Sequence, residues 1–112
     1  MTDSFETLFG SKSTKRVLLY LETYGEGYGR EIARTFGIHP IQIQNQLKKL
    51  EGSGWLVSRP VGKTRLYVWN PRNPLVKPLR AFLQEVIDAL PESEIQDYYR
   101  MRRRPRRPGK PV

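Results

Sequence analysis

The chain has 112 residues, a formal net charge of +9 and no cysteine, which excludes disulfides, zinc fingers and thiolate metal sites. Its longest apolar run, 17–21, is far too short to cross a membrane, and no signal-peptide pattern opens the sequence. We therefore expect one soluble, cytoplasmic domain, and its charge favours a polyanionic partner.

The charge is distributed unevenly. Residues 12–80 hold thirteen Lys and Arg against four Glu, residues 81–99 hold five acids, and residues 100–112 hold seven bases. A merely solubilising basic surface would favour a more even distribution. The central stretch is thus basic without help from the tail, as expected of a nucleic-acid-binding domain.

The N-terminal part predicts two helices. Residues 1–10 form an extension in which apolar side chains at helical spacing indicate one or two turns. Ser11 or Ser13 is a suitable N-cap for a helix that runs through Val17 to Tyr24, and the glycines of 25–27 then end it. Tyr28 is placed to form a short strand at the base of a hairpin.

Residues 29–52 have the pattern of a helix-turn-helix. The pattern predicts helices over Gly29–Phe36 and Pro40–Gly52, joined by three residues that begin with Gly37. A helix that ends and reverses so quickly favours a left-handed backbone, which costs little only for glycine. Pro40 suits the first helical turn, with His39 as a cap or a phosphate contact. The small side chain of Ala33 lets the helices cross closely.

A hairpin and a long helix follow. Residues Trp55–Arg59 and Arg65–Trp69 are rich in strand formers and flank a five-residue basic tip, 60–64. After a turn at 70–74, apolar residues recur every three or four positions as far as Leu90, with Pro78 beginning or distorting the helix. Residues 92–99 could add one or two turns, and the Arg/Pro-rich tail, 100–112, is expected to be disordered.

Together these elements predict an α+β fold that is mostly α: a winged helix-turn-helix with a three-helix core, a two- to three-stranded wing and an additional C-terminal helix. Residues 11–73 would form the DNA-binding domain and residues 74–99 a helical segment for dimerisation, since one small layer cannot cover so broad an apolar stripe. The residues expected at the dimer contact are Leu75, Leu79, Phe82, Leu83, Val86, Ile87 and Leu90.

The second helix of the motif is expected to read the major groove. With Ile43 at the centre of its buried face, a turn of about 100° per residue leaves a polar flank opposite. Asn and Gln can bond adenine edges, the lysines can reach guanines or phosphates, and Ile41 suits thymine methyl groups. An ordinary solvated helix surface is the alternative. The candidate readers are Pro40, Ile41, Gln42, Gln44, Asn45, Lys48 and Lys49.

Further cations are candidates for the DNA backbone or minor groove. On the wing these are Arg59, Lys63, Thr64 and Arg65, which could instead be a solubilising edge. Arg30 and Arg34 could clamp phosphates or pair with Glu26 and Glu31 as weak surface ion pairs. Lys12, Lys15, Arg16 and His39 complete the candidate set.

From Leu8 to Leu90 the chain resembles the ArsR-like group of small prokaryotic winged-helix regulators. The resemblance rests on residues 30–33 (REIA), 37–40 (GIHP), 47–51 (LKKLE), 54–57 (GWLV) and 66–71 (LYVWNP). It implies a homodimer that binds a pseudo-palindromic operator and represses transcription, with helix 40–52 in the groove. Metal sensing does not carry over, because the chain lacks cysteine and has His39 as its single histidine.

The sequence predicts no enzyme, no cofactor and no metal. Residues 10–13 (GSKS) lack the earlier glycine and the preceding strand of a phosphate-binding loop, and 25–29 (GEGYG) follows a helix. We therefore expect a regulator that binds double-stranded DNA in the nucleoid. The alternatives are a protein-interaction module that uses Ile41, Trp69 and the acidic segment 81–99, and non-specific DNA or RNA binding through the tail.

Overall fold

The computed structural model describes residues 4–100, and the expected disorder of the tail beyond Arg100 lies outside these residues. The elements are α1 Ser4–Phe9, α2 Lys12–Tyr24, β1 Glu26–Tyr28, α3 Gly29–Phe36, α4 Pro40–Gly52, β2 Leu56–Val61, β3 Thr64–Trp69, α5 Val76–Asp88 and α6 Glu92–Tyr98. The described residues form six helices and a small antiparallel sheet that packs against α2, α3 and α4, in agreement with the predicted α+β class.

Helix α2 is the centre of the core. Its N-cap is Ser11, whose hydroxyl accepts from the Thr14 backbone N–H at 3.0 Å. Five consecutive residues, 17–21, are buried, because α1, α4, α5 and β1 all pack around this helix. The helix ends where Gly25 donates its N–H to the Leu21 carbonyl.

Helices α3 and α4 form the predicted helix-turn-helix with the expected bounds. Gly37 has φ +68°, and its N–H donates back to the Arg34 carbonyl at 3.2 Å. Nδ1 of His39 accepts from the Ile41 N–H at 3.2 Å, so His39 is the N-cap of α4. Ala33 is buried between the helices, as its small size predicts.

The wing is a three-stranded sheet in the order β1-β3-β2. Tyr28 pairs with Leu66, which confirms the short strand expected at the base of the hairpin. The loop is shorter than predicted: Val61 pairs with Thr64, which leaves two residues at the tip. Gly62, with φ +61° at the first of them, permits this tight turn, and Pro60 is tolerated because β2 is an edge strand.

Most of the α5 stripe is part of the core of the chain itself. Pro78 lies in the first turn of α5, which begins at Val76 and packs against α2. The expected dimer contact is therefore wrong for four buried residues: Leu83, Val86, Ile87 and Leu90. α2 covers the side of α5 that we expected a partner to cover. Leu75 is 59% exposed and Phe82 40% exposed, whereas Leu79 is half-buried.

Helix α6 folds back onto the helix-turn-helix. The rings of Tyr98 and Tyr99 lie 5.0 and 5.9 Å from that of Phe36, at the end of α3. The Tyr24 hydroxyl on α2 donates to the Arg100 carbonyl at 3.2 Å. These contacts fix the end of the described chain beside α2 and α3. None of the described helices is long and apolar enough to span a membrane.

Candidate nucleic-acid interface

The outward face of α4 is free of packing contacts with the core. Ile43 and Leu47 are fully buried and hold the helix on the core. Ile41, in contrast, is 51% exposed. Of the remaining predicted readers, Pro40 and Gln44 are half-buried, and the exposed ones are Gln42, Asn45, Lys48 and Lys49.

Two glutamines of α4 have different environments. A Cβ atom built on Gly29 would lie 3.1 Å from Cγ of Gln44, so this side chain passes close to the start of α3. Gln46, which was not among the predicted readers, accepts from the Thr14 hydroxyl at 2.8 Å and ties α4 to α2. Gln44 therefore borders the wing side of α4, whereas Asn45 faces outward.

A groove of about 470 Å³ separates α4 from the wing. Arg30 of α3 and Lys48 of α4 line one side, and Lys63 and Arg65 of the hairpin line the other. None of the described lining residues is acidic, so the four cations line a concave surface that itself contains no carboxylate. The remaining lining residues are Tyr28, Gly29, Gln44, Thr64 and Tyr67.

The hairpin holds one of these cations in place. Nε of Arg65 donates to Oγ of Ser58 at 3.0 Å, and the Ser58 hydroxyl donates to Oε2 of Glu51 at 2.8 Å. Glu51 belongs to the last turn of α4, so this chain of hydrogen bonds couples the wing to the helix. The Thr64 hydroxyl donates to the Val61 carbonyl at 3.1 Å and serves the turn.

Two tyrosines at the floor of the groove were not predicted as site residues. Tyr67 is buried, and this burial raises the pKa of its hydroxyl, an effect that Glu51 reinforces and Arg65 opposes. Tyr28 is half-buried and lies on the neighbouring strand. The only sequence signal for Tyr67 was the alternation of side chains along β3, which indicated that Tyr67 and Leu66 face opposite sides of the sheet.

Arg59 is separated from the groove. In the strand register it pairs with Leu66, whereas Arg65 pairs with Pro60 one position further along. Neighbouring positions of a strand face opposite sides of the sheet, so Arg59 and Arg65 point away from each other. Of the wing residues predicted to contact DNA, Lys63, Thr64 and Arg65 meet at the groove and Arg59 does not.

The expectation that the cations of α2 contact the DNA backbone is wrong for Lys15. Lys15 is 5% exposed and its ammonium lies 3.7 Å from Glu94 of α6, so it is not available to a phosphate. Arg16 is half-buried with its guanidinium 5.3 Å from the centre of the Phe36 ring. Lys12 remains exposed, 3.9 Å from Glu6. Sequence spacing gave no sign that α6 returns to this helix.

The two arginines of α3 are both exposed, and among residues 4–100 neither forms an ion pair. The alternative pairs with Glu26 and Glu31 are therefore absent from this part of the chain. Arg30 lines the groove, whereas Arg34 lies in the last turn of α3. Within the same residues no cluster of three or more potential metal ligands occurs.

Comparison with solved structures places this architecture among known folds. The antimony-specific transcriptional repressor AntR superimposes with a TM-score of 0.59 and 20% identity, over 76% of this chain and 75% of that one. A MarR-family transcriptional regulator from Rhodococcus sp. RHA1 gives 0.55 and 19%, over 83% and 72%. No family model and no curated protein matches the sequence. The chain therefore has the winged helix-turn-helix fold of these regulators.

Proposed function

We propose that the protein is a transcriptional regulator, acting as a repressor, that binds a specific sequence of double-stranded DNA. Helix α4 would enter the major groove while the wing contacts the phosphate backbone or the minor groove. The observation that carries this proposal is the groove itself: four cations face one another beside an α4 surface on which no other part of the described chain packs. A duplex supplies both the phosphates and the base edges that such a surface can bind.

The cations and the amides of this surface would have different roles in binding DNA. Lys48, Lys63, Arg30 and Arg65 would neutralise phosphates, which provides affinity without sequence information. The amides of α4 would contact base edges, which provides specificity. Arg34, Lys12 and Arg59 are further candidates for phosphate contact at the margins of this surface.

The salt dependence of binding tests this proposal. Fragments bound by the protein are selected from random duplex DNA, and their affinity is measured by fluorescence anisotropy over a range of salt concentrations. Each of Lys48→Ala and Lys63→Ala should make the negative slope of log K against log salt shallower by about 0.9. Lys77→Ala is a matched control, because Lys77 is an exposed lysine on α5 that does not line the groove. Equal slopes for all four proteins would contradict the proposal.

A homodimer is the second part of the proposal. Leu8 and Phe82 are exposed on α1 and α5, and the rings of Phe9 and Phe82 lie 6.4 Å apart, so the two helices present one apolar surface together with Leu75. A symmetric dimer would place its two α4 helices on half-sites roughly 34–36 Å apart. Sedimentation equilibrium at tens of micromolar tests this, and a monomer there would contradict it.

The protein-interaction alternative loses Trp69 from its proposed surface, whereas Ile41 and most acids of the segment 81–99 remain exposed. Trp69 is 7% exposed and its indole N–H donates to the Leu21 carbonyl at 3.2 Å, so it belongs to the core. Glu94 of the acidic segment is engaged with Lys15. The tail that would bind DNA or RNA without sequence preference lies outside the described residues, and we propose it as an addition to the α4 contact. The site of action would be the nucleoid in the cytoplasm.

A further inference from the structure

The outward face of α4 carries its charge at one end. Lys48 and Lys49 lie in the second half of the helix, and the first half presents Ile41, Gln42 and Asn45, which are exposed and uncharged. No arginine occurs between residues 40 and 52. Guanine is read most often by Arg or Lys, adenine by Asn or Gln, and thymine by apolar contact with its methyl group. The first half of α4 therefore has the chemistry for A·T pairs.

The exposure of Ile41 has no explanation in the packing of the described chain. Among the described residues, the other large exposed apolar side chains are those of Leu8 on α1, Val57 on β2, Leu75 just before α5 and Phe82 on α5, so Ile41 does not extend an apolar patch of α4. Its exposed neighbours on the helix are polar. A lone isoleucine amid amides suits a small apolar target that has polar groups on both sides, and a thymine methyl in the major groove is such a target.

The position of Ile41 is also well fixed. Its backbone N–H donates to Nδ1 of His39 at 3.2 Å. The residue directly before it is Pro40, whose ring fixes its own φ angle. A β-branched side chain in a helix strongly prefers a single χ1 rotamer. Ile41 therefore presents its methyl groups in one direction, which allows it to discriminate between bases rather than merely to cover them.

We propose that Ile41 is a specificity-determining residue that contacts the C5-methyl group of a thymine, while Asn45 bonds an adenine nearby. This inference rests on the proposed function, because it concerns the same face of α4. Residues four apart on a helix are separated by about 6 Å along its axis, and base pairs by about 3.4 Å. The two side chains thus reach bases one or two steps apart, and each half-site contains a short A·T segment.

Replacing thymine by deoxyuridine removes the methyl group and leaves base pairing intact, so it isolates this contact. Each thymine of a selected duplex is replaced in turn, and binding by wild type, Ile41→Ala and Ile41→Val is measured at one salt concentration. Wild type should lose about fourfold in affinity at one thymine per half-site, the value of one buried methyl group. The affinity of Ile41→Ala should not change when that thymine is replaced by deoxyuridine, and the affinity of Ile41→Val should fall by less than that of wild type. Circular dichroism confirms that the variants fold.

The outcomes separate this inference from the function on which it rests. Salt-dependent duplex binding that ignores every deoxyuridine, or an equal loss for wild type and Ile41→Ala, overturns the role of Ile41 and leaves the regulator proposal intact. Selected sites rich in G·C pairs at the position of α4 do the same. A protein that binds no duplex overturns both, and Ile41 would then be a contact for a protein partner.

Discussion

Arg65 donates from Nε to the Ser58 hydroxyl across the β2–β3 pair, at 3.0 Å, so the wing orients its own guanidinium. The Ser58 hydroxyl donates in turn to Glu51 of α4. The remaining donors of Arg65 stay on the groove side, where a phosphate of the proposed duplex would lie. The charge belongs to Arg65, whereas its orientation depends on Ser58. Substituting one residue or the other therefore tests the two contributions independently.

Ser58→Ala should weaken binding to all duplexes alike, by about twofold to fivefold, because an exposed hydrogen bond of this kind contributes about 1 kcal/mol or less. Its salt slope should equal that of wild type, since no charge is removed. Arg65→Ala should make the negative salt slope shallower by about 0.9. Ser58→Thr keeps the hydroxyl and serves as the control. A changed base preference in Ser58→Ala would show that Arg65 reads sequence instead.

Leu83 and Phe82 are adjacent on α5, and their substitution should affect different properties: the stability of the monomer and its association, respectively. Leu83 is fully buried, so Leu83→Ala should lower the free energy of unfolding by about 2–5 kcal/mol in a urea titration. Phe82→Ser should change the monomer's stability much less and shift the association equilibrium towards monomer in sedimentation equilibrium. If Leu83→Ala dissociates a dimer while the monomer keeps its stability, the buried side of α5 faces a partner.

Tyr67 should make the protein less stable at high pH. Burial, with a smaller contribution from Glu51, raises its pKa above the ordinary value of 10.0. Above pH 10 the unfolded chain releases this proton and the folded chain retains it, so stability falls as pH rises through this window, by at most about 1.4 kcal/mol per pH unit. Tyr67→Phe removes the effect. Urea titrations of both proteins between pH 9 and 11 should therefore diverge; parallel curves would refute this linkage.

Truncation after Arg100 should reduce the affinity for every duplex by a similar factor and make the negative salt slope shallower, since it removes six basic residues and retains the described fold. The base preference in a selection experiment should not change. A full-length chain with those six residues replaced by Gln is the matched control and should behave like the truncation. An altered base preference in either protein would show that the tail contributes to readout.

The parts of the fold that the sequence predicted correctly are set by local signals. The bounds of α3 and α4 follow from Gly37, His39 and Pro40, whose conformational preferences act within a few residues. The exposed flank of α4 follows from its period, once Ile43 is placed in the core. The wing strands were found by composition, although the short loop at Gly62 was not.

What the sequence did not predict depends on contacts between distant residues. Lys15 reads as a surface cation in its own helix, and it is buried because α6 returns with Glu94, 79 positions later. The apolar stripe of α5 has the same pattern whether α2 or a second chain covers it. Tyr67 became part of the groove because β3 is the central strand between β1 and β2. The periodicity of apolar residues predicts which face of a helix or strand is buried, but not which other part of the chain, or which second chain, covers that face.

The two tryptophans of the chain stand at the two strand ends where the wing joins the helical body. Trp55 donates its backbone N–H to Leu50 at the end of α4, and the Trp69 indole reaches α2. Intrinsic fluorescence is therefore a label-free gauge of how firmly the hairpin is attached, and a spectral change when DNA is added would report movement at its hinge.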